Sequence, residues 1–231
     1  MSLADDISAN SRFTYGTKWQ VRIGTGVPAA AALKLSNDAI FFENATVLYA
    51  DLDGSAGLVR TKKWEFAGQV YKTFLYTVSR LIRKHSGSIA CYDGTRIMGV
   101  FISGLQQPEA VSCALEINYA VKNLVQPELN KYWQTDYRIR HIVGIDSSSV
   151  RAARTGVRGD NDVVWIGNAP NLAAKLTALN ADSPTWITKR VYDKLQDAQK
   201  LEQGECIWEK WSWGQHNNDE IWSTTQSKKF T

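Results

Sequence analysis

The chain has 231 residues, 44% of them hydrophobic, with mixed charge and a formal net charge of +4. That length fits one domain with decorations, and the composition fits a soluble globular fold with enough apolar material for a core. The small basic excess would help attract a polyanionic substrate but is too weak to argue for nucleic acid, and no run approaches the ~20 apolar residues of a membrane helix, so no direct membrane insertion is expected.

The N-terminal ten residues are partly acidic and carry no long apolar run, so no signal peptide is expected. Cys91, Cys113 and Cys206 match neither a metal motif nor a disulfide framework and read as reduced thiols of a cytoplasmic protein. Residues 1–44 read as a lead-in, mixed over 8–26 and then rich in Ala and Leu, which predicts a short helix over 27–42. The main domain is expected over 45–231.

Residues 46–50 form a compact apolar run and read as a buried strand, stopped by the turn signal Asp51-Leu52-Asp53-Gly54. Ala67, Tyr71, Phe74, Leu75, Val78, Leu81 and Ile82 then recur at helical spacing, and Ser86-Gly87 ends that helix. Two strands, 89–92 and 97–101, flank Asp93-Gly94, a strong hairpin signal. Pro108 opens a second helix with Ala110, Ala114, Ile117, Val121 and Leu124 on its core face. Strands are expected over 138–145, 163–166 and 185–188, helices over 169–179 and 190–201, and closing strands in the Trp-rich segment 207–222. The order is β-α-β-β-α-β with additional C-terminal strands, an α+β, ferredoxin-like core; that fold does not by itself name a function.

A strand ending in Asp-x-Asp-Gly-Ser and leading into a helix has a physical use. The carboxylate at the strand end suits a hard divalent cation, and free N–H groups of the turn suit phosphate. Read alone, the segment fits a structural turn equally well. Asp93, in the hairpin next to that strand, is a second acidic group for the same place, or simply the Asp of an Asp-Gly turn.

Three segments in order make the reading more specific: Tyr49-Ala-Asp-Leu-Asp-Gly-Ser-Ala56, residues 86–101 ending in Asp93-Gly-Thr-Arg-Ile-Met98, and Ile166-Gly-Asn-Ala-Pro-Asn-Leu-Ala-Ala-Lys-Leu176. Together they resemble the class III nucleotide cyclases over roughly residues 46–195. The resemblance implies the class III fold, Asp51 and the Leu52 carbonyl as ligands of Mn²⁺ or Mg²⁺, and a phosphate-binding turn at Asp53, Gly54 and Ser55. It places Asn171 and Lys175, one helical turn apart, where the family's transition-state Asn and Arg stand. It also implies a homodimer whose two active sites are each composed from both copies.

Six positions depart from the family pattern. The adenine-reading Lys and Asp fall on Cys91 and Val164, neither of which can read adenine. Tyr49 replaces a Phe, and Arg96 replaces a small residue; with the motif Tyr-Asp-Gly-x-Arg-x-Met these resemble the pyrimidine cyclases of the bacterial Pycsar antiphage systems. That resemblance implies UTP, or alternatively CTP, as substrate, Tyr49 and Arg96 at the base, and a separate effector activated by the cyclic nucleotide. The second metal-binding Asp of the family falls on Thr95, a poor ligand for a hard cation, which leaves a weakly active nucleotide-binding domain as an alternative. Lys175 keeps the charge of the family Arg but loses its fork. Lys210 is a candidate for the terminal phosphates, an exposed surface role being the simpler reading.

Overall fold

The computed structural model describes residues 2–230. Two long strands form its centre: β2 (Asp38–Leu52) and β5 (His141–Gly156), antiparallel to each other. Between them run α2 (Ser55–Thr61), α3 (Trp64–Lys84), the hairpin β3 (Ser88–Asp93) and β4 (Arg96–Phe101), and α4 (Gln106–Ala120). The strand order β5-β2-β4-β3, with every neighbour antiparallel, is the ferredoxin-like core the element order predicts.

Additions extend that sheet. β6 (Asn161–Gly167) folds back on β5, α6 (Asn168–Leu176) crosses over, and β7 (Thr185–Thr188) returns parallel to β5. After two single helical turns, α7 (Lys189–Tyr192) and α8 (Asp197–Lys200), a small hairpin β8 (Leu201–Glu202) and β9 (Glu205–Cys206) precedes β10 (Glu209–Trp213) and β11 (Asp219–Thr224), which close the sheet against β7. The helix expected over 190–201 is therefore broken: Val191 and Leu195 both reach the core, but the backbone turns extended at Gln196.

The sheet is covered on both faces. Leu48, Ala50 and Leu52 pack with Phe74, Ile82, Ile97, Val143 and Ile145 under the helices α3 and α4. Val47 packs on the other face with Met98, Val150, Ala169 and Ala173, beneath α6. Strand alternation alone makes this division: neighbouring side chains of β2 point to opposite faces.

The segment 27–42 is not a helix. It holds one 3₁₀ turn (Ala30–Ala32) and then enters β2 at Asp38, because Ile40 and Phe42 bury against the core while the backbone pairs with both β5 and β1 (Gln20–Ile23). The expected boundary at 44/45 falls inside β2, at a bulge between Phe42 and Ala45, where the side-chain oxygen of Asn44 accepts from Ser147 and Gln107. A helix not foreseen, α1 (Leu3–Gly16), starts at a capping box between Ser2 and Asp5 and buries no residue. Its C-terminal end is held by Asn37, which donates to the Thr14 and Thr17 carbonyls at 2.7 and 2.6 Å.

The α3 core face is as expected, and its end takes its left-handed residue at Ser86 (φ 60), not at Gly87. Past α4 the expected face fails at Leu124, which is 46% exposed. A π turn (Val121–Val125) inserts one residue before α5 (Gln126–Trp133), so Val125 and Leu129 take over the inward positions. No described helix is long and apolar enough to cross a membrane.

His141 opens β5 in the helix layer, fully buried, with Nε2 2.9 Å from the Asn118 side-chain oxygen. Burial pushes its pKa down to about 4. The unfolded chain therefore binds this proton first as pH falls, so the stabilisation is whole above about pH 6.5 and is lost as pH drops through the window down to about 4. The full shift corresponds to roughly 3 kcal/mol. Thermal melts from pH 7 to pH 4 should show a falling Tm whose slope is reduced in His141→Gln; an unchanged slope would refute the assignment.

Candidate functional site

Three strand ends build the site. On the face of the sheet away from α3, Asp51 of β2 lies opposite Arg96 of β4, which lies opposite Asp93 of β3. One rung inward the row is Tyr49, Met98 and Cys91. Asp51 Oδ1 accepts from the Thr95 hydroxyl at 3.2 Å, and Oδ2 accepts from Arg96 Nε at 3.3 Å. The Arg96 guanidinium also stands 6.0 Å from the Tyr49 ring. Burial and then the neighbouring Cys91 push the Tyr49 phenol up to about 12 against the opposing pull of Arg96, so it remains a neutral donor at physiological pH.

Thus Tyr49, Asp51, Thr95 and Arg96 meet as one group. Asp93 does not join them. It sits two strands from Asp51 on the same face of the sheet, with Arg96 between them in the row.

The chain leaves β2 through Asp53 and Gly54. Gly54 adopts φ 72 at the N-cap of α2, a conformation costly for other residues, and delivers Ser55 as the first helical residue. The Tyr71 hydroxyl donates to the Ser55 carbonyl at 2.9 Å and ties the turn to α3. Asp53 is pinned from β5's approach: its N–H donates to the Arg140 carbonyl, and Arg140 Nε donates to its carboxylate at 3.1 Å. Arg140 also reaches Asp182, 3.1 Å away, in the loop after α6. Because the Asp53 N–H faces β5, the Leu52 carbonyl faces the hairpin side, one residue past the last Asp51–Arg96 rung.

Asn171 and Lys175 stand elsewhere. α6 is seated on β5 by two contacts: the Ser148 hydroxyl accepts from the Ala169 N–H at 2.9 Å, and Gly144 lets the helix backbone come so close that a Cβ there would fall 2.2 Å from the Ala173 carbonyl oxygen. Both polar residues face solvent. Asn171 donates to the Gly167 carbonyl at 3.2 Å, and Lys175 Nζ lies 3.1 Å from His216 Nε2. Neither hydrogen-bonds to the Asp51 group within the chain.

Of the remaining positions, Val164 lies exposed on β6, and Lys210 is engaged with Glu220 at 2.6 Å and over the Trp222 ring. Arg140, Ser148 and His216 were not singled out by their local sequence. Their partners lie 87, 21 and 41 positions away, so no short-range pattern could mark them.

The donors around Asp51 are oxygens, which suits Mg²⁺ or Mn²⁺ in kind. They include one carboxylate where a two-carboxylate set would be stronger, Thr95 supplying only a hydroxyl. Among the described residues, no group of three or more His, Cys, Asp or Glu side chains converges on a cation site.

No protein-family model matches the chain. It is 49% identical to a uridylate cyclase of Burkholderia cepacia over all of both chains. It is 39% identical to a uridylate cyclase of Xanthomonas perforans over 96% of each, and 36% identical to one from Rhodovulum over 92% of this chain and 91% of the relative. Among solved structures it resembles the adenylyl cyclase CyaB from P. aeruginosa (TM-score 0.65, 18% identity, 82% of this chain and 97% of that one). It also resembles the guanylyl cyclase Cya2 (TM-score 0.66, 17% identity, 80% and 93%). The structural likenesses bear on the fold, and the full-length sequence likenesses on the family: the chain belongs to the uridylate cyclases, nucleotide-cyclising enzymes built on the class III cyclase fold.

Proposed function

We propose that the chain converts UTP to 3′,5′-cyclic UMP and pyrophosphate. The observation that carries this reading is Arg96, paired with Asp51 across one rung, with Tyr49 one rung inward beneath its guanidinium. Tyr49 brings a neutral hydroxyl and Arg96 a guanidinium whose terminal nitrogens have no protein acceptor among the described residues. Donors of this kind suit the O2 and O4 acceptors of uracil. Cys91, half-buried and with its thiol pKa raised by burial, and the exposed Val164 supply nothing a purine would require.

In the reaction, the ribose 3′ oxygen bonds to the α-phosphorus as the bond to the β-phosphate oxygen breaks, and pyrophosphate leaves. Asp51 and the Leu52 carbonyl would hold the divalent cation, which when bound neutralises phosphate charge and acidifies the 3′-hydroxyl. The turn offers the backbone N–H groups of Gly54 and Ser55 to the phosphates, with α2 behind it, the Asp53 N–H being already given to the Arg140 carbonyl. Asn171 and Lys175 donate to the α-phosphoryl oxygens as charge develops there. Since they do not meet Asp51 within one chain, they are assigned to the second copy of a homodimer with two equivalent composite sites. The Pycsar resemblance supports a place in antiphage defence, with cyclic UMP acting on a separate effector in the cytoplasm.

A second reading has one observation in its favour: the Thr95 hydroxyl stands where a carboxylate would strengthen the cation site. It makes the chain a nucleotide-binding domain with little turnover.

Incubation with each of the four nucleoside triphosphates and Mn²⁺, followed by chromatography of the products, separates these readings. Cyclic UMP is the expected product. Saturable UTP binding without product would select the second reading, cyclic CMP alone would move the substrate to CTP, and neither binding nor product would remove both. Arg96→Ala should change the UTP-to-CTP ratio of initial rates by about tenfold; an unchanged ratio would take Arg96 away from the base. Thr95→Asp should bind Mn²⁺ about tenfold more tightly, read by titration of the cation itself, and should turn over faster. Equal Mn²⁺ affinity in the two chains would contradict the assigned cation site.

A further inference from the structure

By the resemblance to the class III cyclases, Lys175 takes the place of an arginine. A guanidinium aims itself, because its planar fork fixes two donors at once; an ammonium on a flexible four-carbon stem does not. Something outside the side chain has to aim it, and the structure supplies a candidate. His216, in the turn between β10 and β11, places Nε2 3.1 Å from Lys175 Nζ. An ammonium has donors and no acceptor, so this contact requires a neutral ring with its lone pair on Nε2 and its proton on Nδ1. Nδ1 faces the Asp219 carboxylate at 3.7 Å.

The ring is itself held. It lies against the Trp213 indole, with centroids 4.6 Å apart and planes at 35°. On either side of it the backbone is closed by hydrogen bonds, His216 N–H to the Trp213 carbonyl and Asp219 N–H to the His216 carbonyl, each at 2.9 Å. Trp213 is buried among Ile142, Leu172, Leu176 and Trp186. Leu172 and Leu176 belong to α6, so one apolar cluster seats both the helix that carries Lys175 and the turn that carries His216.

We propose that His216 is a positioning residue that aims Lys175 at the α-phosphate, replacing by a tertiary contact the orientation an arginine fork would provide. This rests on the reading of Lys175 given above. A brace acts on a step and not on substrate capture, so its loss should appear in kcat with KM little changed. A residue that works only through Lys175 should also have no effect once Lys175 is gone.

The tests are steady-state kinetics of a double-mutant cycle and the tautomer of the ring, read by ¹⁵N NMR. His216→Ala should lower kcat about tenfold with KM for UTP near its starting value. His216→Gln, whose side-chain oxygen can accept, should recover most of the rate. The doubly substituted Lys175→Ala, His216→Ala chain should be no slower than Lys175→Ala. Independent losses that multiply, or a rise in KM with kcat intact, would overturn the brace. So would a slow Lys175→Ala beside a fully active His216→Ala. Full activity of Lys175→Ala would overturn the reading of Lys175 and the brace with it. The NMR spectrum needs no turnover: the Nδ1-protonated ring is expected in the unaltered chain, and an Nε2-protonated ring would overturn the proposal.

Discussion

Everything at the site depends on the alternation of one strand. Along β2, Leu48, Ala50 and Leu52 fill the helix-side core, while Tyr49 and Asp51 are thereby sent to the other face. The burial of three apolar side chains fixes the register, since a slip of one residue would place Asp51 in the helix-side core and turn Leu48 to the opposite face. The cross-strand partners then follow without further instruction: Arg96 must lie beside Asp51, and Met98 and Cys91 beside Tyr49. Hydrophobic packing on one side of the sheet thus sets the electrostatics on the other.

That arrangement also explains the placement of charge. Arg96 lies between two acids in a single row, Asp51 and Asp93, and its Nε engages the inner one. A guanidinium in the middle of the row offsets the repulsion two nearby carboxylates would feel, and it holds the hairpin tip against β2.

Much of this architecture was legible beforehand, and the reasons for the failures are physical. The strand at 46–50, the hairpin and the α3 face all rest on local periodicity or turn chemistry and persist in the structure, whereas the turn expected at 51–54 is confined to Asp53 and Gly54 because Asp51 and Leu52 stay paired in β2. Residues 27–42 were misread because alanine content favours a helix, whereas Ile40 and Phe42 gain more by joining a strand already paired on both sides. Leu124 was misplaced because a π turn changes helical phase without leaving a composition signal. The contacts of Arg140, Ser148 and His216 were invisible for another reason. Each is made by the tertiary fold, between residues whose own neighbourhoods say nothing of one another.

The seat of α6 has a mechanical consequence. With the Ala173 carbonyl occupying the space a side chain at 144 would need, and with Ser148 capping its first turn, the helix is keyed into the strand beneath it. Displacing Asn171 and Lys175 therefore means moving β5 as well, and with β5 the sheet it belongs to. In the composite site proposed above, opening and closing is then a relative displacement of entire protomers, its stiffness set by the contact between copies.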